Sequence, residues 1–189
     1  MKRAIAFVFL ATLAIPAFAQ VSAPAQAGRP ATTEEALKAA QIQAKAQNKN
    51  ILVKFSASWC GWCHRMSDWL HDTEAGKMVA EQYIIVTLIV DEADNKKNLE
   101  NPGAKEFQEK LGGKGSGIPF FAMLNKDLKP MINSIRPGEK PSNIGFPVED
   151  FEIAHFMKMI KETSKLNAGQ LSKAESSLKE TAQKIKAGG

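Results

Sequence analysis

Two cysteines separated by two residues, Cys60 and Cys63, are the only cysteines of this 189-residue chain. The thiolate is the reactive form of cysteine, and two thiols at this spacing can attack a substrate disulfide and then close on each other. A disulfide between them would close so short a loop that it could add little stability. The spacing therefore predicts a redox-active pair rather than a structural bridge.

The segments on either side of the pair predict how it is held. An apolar, β-branched run at 51–57 is typical of a buried strand. After Cys63 the sequence reads as an amphipathic helix, with Met66, Trp69 and Leu70 on one side. A strand would thus deliver the cysteines to the start of a helix, where free amides and the helix dipole stabilise a thiolate.

The rest of the chain alternates between helical and extended patterns. We predict helices at 32–47, 74–82, 104–111, 148–166 and 170–186, strands at 83–90, 120–124 and 130–135, and loops at 91–103 and 136–147. The strand at 83–90 is continuously apolar, which favours a parallel, fully buried position. The last two strands read as an antiparallel hairpin. The last helix is basic and has a thin apolar face, which favours packing on its own domain, or fraying, over docking on a membrane or a partner.

Two further expectations concern side chains. The helix at 148–166 carries Phe151, Ala154, Met157 and Ile160 at helical spacing, which predicts that they form its buried face. His71 and His155 stand alone in the sequence, and we expect each on the surface or on a helix face.

The N-terminus has the three parts of a secretory signal peptide. Lys2 and Arg3 precede an apolar stretch at 4–15, and a small-x-small site ends at Ala19, so the mature chain would begin at Gln20. The apolar stretch is shorter than the roughly 20 residues that span a bilayer. We therefore predict an exported protein, in the periplasm or outside the cell, without stable membrane insertion.

These patterns divide the chain into a signal peptide (1–19), a flexible leader (20–31), one domain (32–166) and a helical tail (167–189). The formal net charge of +5 is spread along the sequence without a basic stripe, so nucleic acid is not an expected partner. The sequence shows no metal-ligand cluster, and we expect no cofactor.

The element order around the Cys-x-x-Cys, with Ile118-Pro119 before the third core strand, resembles the thioredoxin-like superfamily. The similarity extends from about residue 32 to 166 and is closest to exported, single-domain thioredoxin-like proteins. It implies an α/β, three-layer fold in which helices flank a mixed central sheet. It also implies protein thiol-disulfide oxidoreductase activity on substrates with disulfides or thiols. Because an exported reductase must itself be re-reduced, we further expect a membrane-bound electron-transfer partner.

The resemblance also implies roles for single residues. Cys60 would be the exposed nucleophile, and Cys63, one turn deeper, would resolve the mixed disulfide. Trp59 would shape the substrate surface with the intervening Gly61 and Trp62. Pro119, if cis, would bring its strand edge to the cysteines, and the backbone of Ile118 would then bind an extended substrate segment.

Two positions depart from the thioredoxin pattern. Lys54 stands in the strand where thioredoxins have a buried aspartate that accepts the proton of the resolving cysteine. A buried lysine would be neutral or paired, so proton transfer would run through water, His64 or neutral Lys54. Between the cysteines, Gly61 and Trp62 replace Gly-Pro, so the reducing power of thioredoxin does not carry over.

Two other functions fit part of the sequence. Cys60-x-x-Cys63-His64 is also a haem-attachment pattern, which would make this an exported c-type electron carrier. The strand directly before the motif and the later Ile118-Pro119 strand favour a sheet-centred fold instead. A binding or chaperone module with incidental thiols is the other alternative.

Overall fold

The computed structural model describes residues 29–188, so the predicted signal peptide and most of the predicted leader lie outside the described residues. The helices are α1 (Thr33–Gln47), α2 (Gly61–Asp72), α3 (Glu74–Ala80), α4 (Ala104–Gln108), α5 (Asp150–Thr163) and α6 (Ala168–Lys186). The strands are β1 (Asn50–Ser56), β2 (Tyr83–Ile89), β3 (Phe120–Leu124), β4 (Pro130–Asn133), β5 (Ile135–Arg136) and β6 (Ser142–Asn143). A 3-10 helix covers Asp94–Leu99, and a π-helical segment, Glu109–Gly113, continues α4. Within residues 29–188 no helix is long and apolar enough to cross a membrane.

Four strands form one mixed sheet in the order β2-β1-β3-β4. β1 runs parallel to β2 and antiparallel to β3, and β3 pairs antiparallel with β4. β1 and β3 are the central strands, and nearly all of their side chains are buried. The parallel pairing predicted for 83–90 and the predicted hairpin are both confirmed. The fully buried position predicted for 83–90 is wrong, because β2 lies at the edge of the sheet and leaves Thr87 exposed.

The sheet separates two hydrophobic cores because successive side chains of a strand point to opposite faces. On β1, Ile51, Val53 and Phe55 enter the core that the sheet forms with α1 and α4. Leu52 enters the other core, which contains residues of α2, α3, α5 and α6. Helices therefore cover both faces, and the predicted three-layer α/β fold is confirmed.

Helix α5 buries only part of the predicted face: Ile160 is buried and Met157 is half-buried, but Phe151 and Ala154 are exposed. Its buried apolar side chains are Ile153, Phe156, Met159 and Ile160, whereas Phe151 is 51% exposed. Both stripes have helical spacing, so periodicity alone could not choose between them. Phe151 lies in the first turn, where the guanidinium of Arg136 lies 4.9 Å from its ring centroid.

Two smaller points were not predicted. Of the two positions expected for His155, a helix face is the one found: it lies on the buried face of α5, and its Nε2 lies 2.9 Å from the carbonyl oxygen of Asn133 at the end of β4. That carbonyl gives the ring a polar partner, which lowers the cost of burial. The loop predicted at 136–147 contains β6, which pairs antiparallel with β5.

Helix α6 packs on the main core, as predicted. Its inner face buries Ala174, Leu178 and Ala182 in the core that also contains Trp69. The indole Nε1 of Trp69 donates a hydrogen bond to Ser177 Oγ at 3.1 Å. The C-terminal helix thus packs against α3 and α5 and is tied to α2 through Trp69.

We predict that Leu178→Ala lowers the free energy of unfolding by about 2–5 kcal/mol, because it removes a fully buried side chain and leaves a cavity. Leu171→Ala, at a half-buried position of the same helix, should cost less than half as much. Urea denaturation of both variants measures the difference. Equal losses would show that α6 does not contribute to the core through its buried face.

Candidate active site

The two cysteines lie where the sequence analysis places them, at the N-terminus of α2. Their sulfur atoms are joined in a disulfide, and Cys60 is the N-cap residue of the helix. The backbone amide of Cys63 points at the Cys60 sulfur, with a distance of 3.2 Å between the nitrogen and Sγ. A sulfur in this position receives both an amide hydrogen bond and the positive end of the helix dipole, so its thiolate is stabilised on reduction.

The expectation that Cys60 is exposed is wrong for this oxidised state. Its relative exposure is 3%, against 1% for Cys63. Ala57 and the half-buried Ile118 pack against the disulfide and cover it with apolar surface. The accessible surface belongs instead to the neighbours of Cys60 in sequence.

Two tryptophans provide most of that surface. Trp59 is 59% exposed and Trp62 is 47% exposed, although both are large apolar side chains. The Trp59 indole Nε1 donates to the carbonyl oxygen of Asp91 at 2.8 Å. The Trp62 ring stacks on Phe146, and the Arg65 guanidinium lies 5.5 Å from its centroid. Both rings are therefore held in place, and one side of each ring stays open to solvent.

A buried glutamate, Glu92, supports the turn before the cysteines. Its carboxylate accepts hydrogen bonds from both the backbone amide and the hydroxyl of Ser58, the second at 2.8 Å. The Ser58 amide lowers the pKa of Glu92 below its usual value. Sequence analysis missed this residue because it treated 91–103 as a plain solvated loop. A carboxylate directly after a buried strand was the available signal.

The Ile118–Pro119 peptide bond is cis, as the resemblance implies. The segment is fixed from outside by Asn143 of β6, whose Nδ2 donates to the carbonyl oxygens of Gly117 at 2.9 Å and Pro119 at 3.0 Å. Asn143 Oδ1 in turn accepts from the hydroxyl of the fully buried Ser134 at 2.7 Å. Sequence analysis missed Asn143 and Ser134, since neither belongs to a recognisable motif.

Lys54 lies behind the cysteines, between β1 and α2. It is 5% exposed, and its Nζ donates to Ser67 Oγ. The Ser67 hydroxyl donates to the carbonyl oxygen of Cys63 at 3.1 Å. Burial in this apolar layer lowers the pKa of Lys54 from 10.5 to about 8, and the attraction of Asp68 opposes that shift.

His64 lies on the solvent side of α2. It is exposed, and its Nε2 is 3.1 Å from the carbonyl oxygen of Ser58. The structure thus brings eight of the nine predicted site residues to or beside the N-terminus of α2 and places Lys54 beneath them. Across residues 29–188, no three His, Cys, Asp or Glu side chains are grouped so that they could hold a metal ion.

We predict that replacing Lys54 by Met changes how stability depends on pH. The pKa of Lys54 is about 8 in the folded oxidised protein and 10.5 as its reference value, so the unfolded chain binds more protons between these two pH values. Stability of the wild type relative to Lys54→Met should therefore rise by about 3 kcal/mol between pH 8 and pH 10.5 and stay constant below pH 8. Urea denaturation of both proteins across this range tests it. A pH-independent difference would mean that Lys54 titrates normally.

Comparison with known proteins assigns the family. A sequence model described as thioredoxin-like matches residues 32–126, half of the chain. No match was found among curated protein sequences. A disulphide isomerase from Xylella fastidiosa Temecula1 has 18% identity and a TM-score of 0.47, with 88% of this chain and 98% of that chain covered. A thioredoxin from Thermus thermophilus has 18% identity and a TM-score of 0.42, with 72% and 87% covered. Because the thioredoxin-like model matches half of it, the chain belongs to the thioredoxin-like family, and its Cys-x-x-Cys pair forms a disulfide.

Proposed function

We propose that this protein is an exported oxidoreductase that exchanges the Cys60–Cys63 pair with the disulfides or thiols of other proteins. The observation that carries the proposal is the position of Cys60 as the N-cap residue of α2, hydrogen-bonded to the amide of Cys63. This position favours the thiolate form, which is the form that attacks a disulfide.

In the reducing direction, the Cys60 thiolate attacks one sulfur of the substrate disulfide. A bond forms between Cys60 and that sulfur, and the other substrate sulfur leaves as a thiolate that takes a proton from solvent. The Cys63 thiolate then attacks Cys60 Sγ, so the Cys60–Cys63 disulfide forms and the second substrate sulfur leaves. Two electrons pass to the substrate, and the same steps in reverse oxidise a dithiol.

The surface around the pair supports a protein substrate rather than a small thiol alone. The exposed rings of Trp59 and Trp62 flank Gly61, whose added Cβ would meet no atom within 4 Å. Aromatic rings that are exposed and fixed in position are typical of recognition surfaces. On the other side, the backbone of Ile118 would pair with an extended substrate segment.

Export is supported by the signal-peptide pattern of residues 1–19. Outside the cytoplasm an oxidoreductase needs a partner that restores its redox state, because each exchange leaves Cys60 and Cys63 in the opposite state. For a reductase this partner would be a membrane-bound electron donor. The periplasm provides both substrates and such a partner.

We predict that Cys63→Ser accumulates mixed disulfides with substrate proteins, because the second attack is lost while Cys60 remains. The measurement is insulin reduction by the dithiol form, with adducts identified by non-reducing electrophoresis and mass spectrometry. Cys60→Ser should lose both insulin reduction and adducts. Full function of Cys60→Ser would instead support the binding-module alternative, and a wild type that leaves insulin unreduced and forms no adduct would overturn the proposal.

We also predict that Trp62→Ala slows reaction with a protein disulfide about tenfold or more, since a recognition residue contributes over about 1.4 kcal/mol. Its reaction with glutathione disulfide should change far less. Ile42→Ala is the matched control, because Ile42 is 63% exposed on α1, which packs on the opposite face of the sheet. Equal slowing with both oxidants would mean that Trp62 affects the cysteines rather than the substrate.

A further inference from the structure

Lys54 is a charged side chain in an otherwise apolar layer. The small space around it is lined by Leu52, Met66, Leu70, Phe121 and Phe156, which belong to the two central strands, α2 and α5. Its strand neighbours in register are Thr87 and Phe121, and the acid that acts on it is the exposed Asp68 of α2. No carboxylate neutralises it inside this layer, among the lining residues the structure describes.

One hydroxyl connects this lysine to the resolving cysteine. Cys63 and Ser67 are four residues apart on α2 and therefore lie on the same face of the helix. Lys54 Nζ donates to Ser67 Oγ, and the Ser67 hydroxyl donates to the Cys63 carbonyl oxygen. The ammonium group thus lies beneath the same helical turn that carries the Cys63 sulfur.

We propose that Lys54 is a positioning residue for the redox pair: held by Ser67, its ammonium group favours the thiolate of Cys63 and stabilises the reduced protein. This inference rests on the proposed function, which makes Cys63 the resolving thiol. It assigns the lysine an electrostatic role, in which the positive charge acts on the sulfur through a layer that holds little solvent.

The electron balance shows where the charge acts. Reduction adds two electrons, breaks the bond between the sulfurs of Cys60 and Cys63, and leaves each sulfur either as a thiolate or with a proton from solvent. A cation that Ser67 holds beneath the turn of Cys63 favours the thiolate. It therefore lowers the free energy of the reduced state and makes the disulfide a stronger oxidant. By reciprocity, the Cys63 thiolate holds the proton on Lys54 more tightly.

The test measures the pKa of Cys63 directly. In Cys60→Ser, Cys63 is the only thiol of the chain, so thiolate absorbance near 240 nm reports its ionisation alone. Adding Lys54→Met should raise the Cys63 pKa by one unit or more, the size expected for loss of a nearby opposite charge. Adding Lys38→Met, which removes an exposed lysine of α1, should leave the pKa unchanged.

A second variant covers the case in which Lys54→Met does not fold. Ser67→Ala keeps the lysine and removes the hydroxyl that holds it, so it should also raise the Cys63 pKa, by a smaller amount. In the two-cysteine protein, Lys54→Met should shift the equilibrium with glutathione about tenfold towards the disulfide, which corresponds to about 30 mV. A purely structural lysine would alter stability and leave both readouts unchanged.

The outcomes separate this inference from the proposed function. An unchanged Cys63 pKa in both Lys54→Met and Ser67→Ala would overturn the role of Lys54, even if Cys63→Ser traps substrates as expected. A raised pKa in a protein that reduces no protein disulfide and forms no mixed disulfide through Cys60 would support the electrostatic role and reject the proposed function. A lowered pKa would also overturn the inference, because it would mean that Lys54 disfavours the thiolate of Cys63.

Discussion

The burial of β1 is the constraint on which the rest of the structure depends. This strand pairs with β2 on one edge and β3 on the other, and its side chains enter both hydrophobic cores. Two neighbouring strands and two hydrophobic cores therefore fix its position and register. Because only a short turn separates its last residue, Ser56, from Cys60, the position of β1 also fixes where the cysteines meet the start of α2.

Segments distant in sequence then complete the surroundings of the disulfide. Glu92 follows β2 and holds the turn before the cysteines through Ser58. Asn143 of β6 holds the segment at Ile118–Pro119, and the apolar side chain of Ile118 covers the sulfurs. The strand and helix bring the pair into place, and hydrogen bonds from two other parts of the chain set its immediate environment. Redox chemistry therefore depends on contacts far beyond the Cys-x-x-Cys motif.

The contrast between β1 and α5 explains how far the sequence could predict this arrangement. The strand positions and the place of the cysteines followed from local patterns, since an apolar, β-branched run and a Cys-x-x-Cys leave few alternatives. The buried face of α5 did not, because Phe151 and Ile153 start two stripes of equal spacing and only tertiary packing selects one. Asn143 was unpredictable for a related reason, since its partners are 24–26 residues away. Glu92 did leave a local signal, its position after β2, but its partner Ser58 is 34 residues away.

The way Asn143 holds its neighbours has a consequence for how the family could diversify. The loop between β5 and β6 is exposed at 137–141, yet it ends on the residue that supports the cis-proline segment. Insertions of different length at its tip would be tolerated, because the backbone there faces solvent. New recognition elements could thus be added beside the active site while the geometry of the cysteines stays the same.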